Sequence, residues 1–172
     1  MSMAAVHASL GTLLVLAGLA ATLTPKRRRR SPHRRVGQVY MALLVTVLPT
    51  GMILGAANPG VTLFEIATPP TLLMGLAGWW AGRARPARFL GRPWRFWHIA
   101  GMGGSMIGVV TATAFQIAGR TVGMRQPLVL ALWLVPPIIG SVLIGRAQAR
   151  WAPRPRATTV TAPAAATGHS RR

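Results

Sequence analysis

Apolar residues fill five stretches of this chain, at about 4–23, 36–56, 61–82, 98–118 and 127–145, separated by four short connections and followed by a polar tail. Each stretch is close to the ~20 residues a helix needs to cross the hydrocarbon core of a bilayer. The pattern predicts an all-α, polytopic membrane bundle of five transmembrane helices. Residues 1–150 would form the bundle, and 151–172 a disordered, basic tail rich in Pro, Ala, Thr and Arg.

Basic residues are distributed unevenly over the connections. Lys26 to Arg30 with Arg34 and Arg35 lie between spans one and two. Arg83, Arg85, Arg88, Arg92 and Arg95 lie around the third connection, and Arg146, Arg150, Arg154 and Arg156 follow span five. The Ala57-Asn58-Pro59-Gly60 turn is uncharged, and the fourth connection carries only Arg120 and Arg125. Basic loops remain cytoplasmic, so the expectation is a multi-pass protein of the cell membrane with its N-terminus outside and its C-terminus inside. The first stretch lacks the basic leader of a signal peptide, and its Arg run follows rather than precedes it. It reads as a retained span.

The 172 residues carry a formal net charge of +19, with a single acidic side chain. Flanking of apolar spans accounts for every basic cluster, so nucleic acid is not an expected partner. Anionic lipid headgroups are the expected counterions. The chain has no cysteine, which excludes disulfides, thiolate metal sites and cysteine nucleophiles.

Prolines fall inside three spans: Pro49, the pair Pro69-Pro70, and the pair Pro136-Pro137. Each removes a backbone donor, so kinked helices are expected, with broken helices lining a site as the sharper alternative. Gly101, Gly103, Gly104 and Gly108 enrich span four. The Gly104/Gly108 spacing permits close helix approach, within the bundle or across a homo-oligomer contact. Trp79, Trp80, Trp94, Trp97 and Trp151 suit an interfacial aromatic belt.

Two sets of side chains are candidates for chemistry. Glu65, the only carboxyl side chain, lies inside a span, where an ionisable group points to function. His7, Gln116 and Arg120 fall at similar depth and form with it a candidate ion or proton site, or a structural ion pair. His33 and His98 fall at the opposite face and form a candidate cofactor site for b-type haem, with His7 as a further candidate ligand. On span four His98, Met102, Ser105 and Gln116 share one helical stripe, and His33, Gly37 and Tyr40 repeat at the same offsets on span two. No catalytic constellation is present, and no metal site beyond a haem iron is expected. An enzyme built on this chain would borrow its chemistry from a cofactor.

The run His33-Arg34-Arg35-Val36-Gly37-Gln38-Val39-Tyr40, the set His98, Met102, Ser105, and the early His7 with Gly11 resemble the domain-of-unknown-function family 2306 of bacterial multi-pass membrane proteins. The resemblance covers residues 5–118. That family usually has Arg where this chain has Gly104. The resemblance implies a multi-pass membrane protein without an assigned activity, and its periodic histidines invite comparison with di-haem cytochromes of the b561 kind. Three functional expectations result: a redox protein associated with haem or quinone, a small proton- or ion-coupled transporter using Glu65, and a non-catalytic assembly or lipid-interacting subunit.

Overall fold

The computed structural model describes residues 2–25, 31–56, 62–121 and 125–151, with Leu63 and Arg120 described by backbone alone. The Lys26–Arg30 run, the Asn58-Pro59-Gly60 turn and the tail after Trp151 lie outside the described residues. Among the described residues the fold is all-α, with five helices in order: α1 (Met3–Leu23), α2 (Pro32–Gly55), α3 (Leu63–Ala84), α4 (Trp94–Thr121) and α5 (Gln126–Trp151).

Local chemistry sets the helix ends. The Ser2 hydroxyl accepts from the Ala5 N–H to cap α1. Pro32 opens α2, where its missing N–H costs nothing and its fixed φ suits the first turn. Helix α3 stops at Arg85, whose φ of 49° is left-handed. The tight turn after it reverses at Leu90 (φ 46°) and Gly91 (φ 75°). Its Phe89 lies between Trp80 and Trp97 at ring-centre distances of 5.3 and 5.6 Å, and the Trp97 indole N–H donates to the Phe89 carbonyl. The α3–α4 connection is thus anchored by aromatic contacts rather than left loose.

Helices α2, α3 and α5 run uninterrupted through Pro49, Pro69-Pro70 and Pro136-Pro137. Four helices, α1, α2, α4 and α5, are long and apolar enough to cross a membrane. Helix α3 is not one of these, because Glu65, two prolines, three glycines and two tryptophans dilute its apolar content. Its 22 residues nevertheless span about 33 Å at 1.5 Å per residue, and it packs along both α2 and α4.

Helices α1 to α4 form a ring: α1 packs on α2, α2 on α3, α3 on α4, and a light α1–α4 contact closes it. Helix α5 packs on α4 alone and has no buried residue. The interior holds Leu14 from α1, Tyr40, Met41, Leu44, Val47 and Leu48 from α2, and Val109 from α4. Large apolar side chains also face outward in rows, such as Leu13, Leu16 and Leu19 on α1 and Leu134, Ile138 and Val142 on α5. Polar Ser105 and Thr111 are buried instead. Apolar patches of that extent in water mark an unfilled interface. Around a bundle of membrane-length helices they suit hydrocarbon.

The tightest contact is α3 against α4. A Cβ on Gly78 would lie 2.5 Å from the Met102 backbone nitrogen, and one on Gly101 would lie 2.5 Å from the Met74 carbonyl oxygen. Gly104 and Gly108 of the expected small-residue pair also face α3, against Met74 and Thr71, so their use is within the bundle. We expect Gly78→Ala and Gly101→Ala each to destabilise the protein by about 3 kcal/mol, the upper part of the overpacking range. Gly11→Ala, where an added Cβ meets nothing within 4 Å, should be neutral. Thermal unfolding in detergent compares the three, and equal effects at all three sites would refute the contact.

Candidate functional site

Helices α2 and α4 both start at the arginine-rich end of the bundle and run parallel on opposite sides of its interior, without backbone contact. Parallel helices carrying the same offsets place equivalent residues opposite one another. The His33 and His98 rings meet with centres 6.2 Å apart and planes at 88°. Seven residues further along each helix, Tyr40 and Ser105 join through a 2.9 Å hydrogen bond, at 2 % and 0 % exposure. Ser105 gives its proton to the Met102 carbonyl at 2.9 Å, so the Tyr40 hydroxyl is the donor.

Each imidazole is oriented by a neighbouring helix. His33 Nδ1 lies 2.8 Å from the Ala21 carbonyl oxygen in the last turn of α1, and His98 Nδ1 lies 2.9 Å from the Gly78 carbonyl oxygen of α3. A carbonyl only accepts, so Nδ1 carries the proton in both rings, and Nε2 is the nitrogen suited to bind a metal. Glycine makes the second contact possible: a Cβ on Gly82 would lie 2.5 Å from His98 Nδ1. The carbonyls that orient the rings come from the helices flanking α2 and α4, so all four ring helices contribute to the site.

His33 and His98 would be the residues to hold a haem, which would supply one-electron chemistry there. Among the described residues, no three His, Cys, Asp or Glu side chains come together as a metal cluster. Two histidines are few for a bare ion, whereas they would suffice to hold a haem. Gly37 lies between His33 and Tyr40 on α2, is half-buried, and has open space where a side chain would be.

The other candidate cluster is drawn together in part. His7 Nδ1 lies 2.9 Å from the Thr50 hydroxyl, which donates its own proton to Val47, so His7 is the donor. A Cβ on Gly51 would lie 3.1 Å from the His7 ring, and one on Gly55 would lie 3.1 Å from the Glu65 carboxylate. His7 and Glu65 therefore approach α2 one turn apart, at the end opposite the arginine-rich one. Gln116 is exposed, one residue past the buried Phe115. The Arg120 side chain lies outside the described residues. His7 is at the opposite end from His33 and His98 and does not join that pair.

Glu65 has a structural use that its depth in the sequence did not suggest. Its carboxylate accepts the Thr62 backbone N–H and closes one half of a capping box on α3. Thr62-x-x-Glu65 ahead of an apolar run is the sequence signal for it. The carboxylate thus belongs to the first turn of the helix. The aromatic cluster around Phe89 and the Tyr40–Ser105 bond are further features that spacing alone did not pair.

The chain matches no protein-family profile, no curated protein and no solved structure.

If Glu65 serves as a cap, Glu65→Gln should cost under about 0.5 kcal/mol, since the amide oxygen still accepts, and Glu65→Ala about 1 kcal/mol. Chemical denaturation in detergent micelles measures both. An equal loss for Gln and Ala would show that the negative charge, not the cap, is what matters.

Proposed function

We propose that the chain is an integral membrane redox protein that binds b-type haem between His33 and His98. The observation that carries this reading is the imidazole pair itself, with ring centres 6.2 Å apart and each Nδ1 tied to a backbone carbonyl. Bound there, haem would supply one-electron transfer. The protein's part is to fix both rings from adjacent helices and to shield the site with Trp94, whose ring centre lies 6.2 Å from that of His98.

The transporter reading draws less support. Its carboxylate is engaged in a helix cap, and the proline-bearing helices are continuous.

Protein produced with haem supplied should show a Soret band and the sharp α band of a low-spin, bis-imidazole iron on reduction. His33→Ala and His98→Ala should each abolish the low-spin spectrum, and His7→Ala should retain it. Gly37→Leu should fold and lose the cofactor by filling the open space. A wild-type protein that purifies without a Soret band under these conditions overturns the proposal.

The topology proposed with this reading has five crossings of the cell membrane, α3 included, with the arginine-rich end in the cytoplasm. It rests on the charge asymmetry between the connections and on α3 packing between two membrane-length helices. Reporter fusions at Arg88 and in the tail should read cytoplasmic, and one at Asn58 external. A cytoplasmic signal at Asn58 contradicts five crossings.

A further inference from the structure

At the arginine-rich end, α3, α4 and α5 bring two tryptophans and two arginines together. The Arg85 guanidinium carbon lies 5.2 Å from the Trp94 ring centre. That of Arg95 lies 5.4 Å from the same ring and 5.1 Å from that of Trp151 at the end of α5. Arg85 is also tethered by its Nε–H to the Gly82 carbonyl, and its backbone is left-handed at the α3 C-cap. Two cations are therefore held on one indole, and no acid offsets them. The only carboxylate side chain of the chain, Glu65, sits at the other end of α3. The 20-residue offset between Glu65 and Arg85 corresponds to about 30 Å of helix.

From this geometry we infer that Arg85, Arg95, Trp94 and Trp151 form a binding site for the phosphate of an anionic phospholipid. A guanidinium lying over an aromatic face presents its N–H edge away from the ring, in the fork that matches two phosphate oxygens. Two such forks lie within 5.4 Å of the centre of one indole. Tryptophans at the ends of membrane-length helices sit at headgroup depth, so the phosphate met there belongs to a lipid. Acyl chains find apolar surface on α5, where Val142 and Leu143 are exposed. The site shares Trp94 with the proposed haem site, but neither His33 nor His98 takes part in it.

The test uses full-length protein in detergent and native mass spectrometry with phosphatidylglycerol or phosphatidylcholine. Wild type should prefer phosphatidylglycerol. The double variant Arg85→Gln/Arg95→Gln should lose about thirtyfold in affinity for it, as expected for two basic residues near a lipid surface. Arg85→Lys/Arg95→Lys keeps the charge without the fork and should lose only part. The charge-matched control Arg146→Gln/Arg150→Gln should retain the preference, as should His98→Ala, which separates this site from the haem reading. Thermal unfolding of each variant identifies any that fails to fold, and Trp94→Phe, which keeps an aromatic face, then serves as the conservative variant with a partial loss. Unchanged phosphatidylglycerol binding in the double Gln variant overturns the proposal. So does an equal loss in the charge-matched control, which would mean diffuse attraction. Displacement of the lipid by millimolar inorganic phosphate also overturns it, since the site would then be one for free phosphate.

Discussion

The bundle depends on the approach of two glycine backbones, Gly78 of α3 and Gly101 of α4. Helices usually pack 8–10 Å apart, at a distance set by the side chains between them. Here the intervening side chains are hydrogens, and a Cβ on either glycine would run into the backbone of the other helix. Membrane helices gain little from hiding apolar surface from lipid, so close van der Waals approach is a main source of their association. The same approach brings His98 within reach of the Gly78 carbonyl and lays its ring over Gly82. It also seats Ser105 against Gly75, where the hydroxyl is fully buried. Moving α4 outward by the width of a methyl group would loosen all three contacts together.

With α4 fixed on α3, its remaining inner face looks across the bundle to α2. These two helices run the same way, so residues at matching offsets meet at matching depths. His33 meets His98, and Tyr40 meets Ser105. The buried hydroxyl pair is costly to leave unpaired in an apolar interior. It therefore sets the rotation of each helix and its position along the axis. A slip of one residue would turn the partner side chains by about 100° and part the imidazoles too. The Tyr40–Ser105 bond thus maintains the spacing of the histidines two turns away.

Much of this architecture is legible in the sequence, because its causes are local. Twenty-residue apolar stretches, Pro32, the glycines of α4 and the equal offsets of the two histidine stripes are all visible along the chain. That those two stripes face each other depends on which helices are diagonal, and this follows from packing rather than from spacing. Glu65 shows the opposite case. Its depth within an apolar stretch suggested a buried charge, while Thr62 three residues earlier signalled a helix start. The apolar margin of the stretch lies at residue 61, whereas the helix begins at Leu63, and the carboxylate belongs to its first turn. Gln116 shares the His98 stripe by arithmetic but is exposed, because periodicity gives a direction around a helix and not what stands opposite it.

The two ends of the bundle are stabilised by different means, for a reason visible in the charge balance. At the end opposite the arginine-rich one, neutral or singly charged hydrogen bonds suffice: Ser2 caps α1, His7 donates to Thr50, and Glu65 accepts from Thr62. At the arginine-rich end a chain with one carboxylate has no acids with which to build ion pairs. Four of its described arginines lie over aromatic rings instead: Arg83 on Trp79, Arg85 and Arg95 on Trp94, Arg92 on Phe96. Such contacts contribute about 0.5–1 kcal/mol each at exposed positions. They position a guanidinium without neutralising it, whereas a carboxylate would do both. The positive field of that end therefore survives folding and remains available to anions outside the chain. The same imbalance of charge along the sequence leaves ordered, unneutralised cations at one end of the bundle.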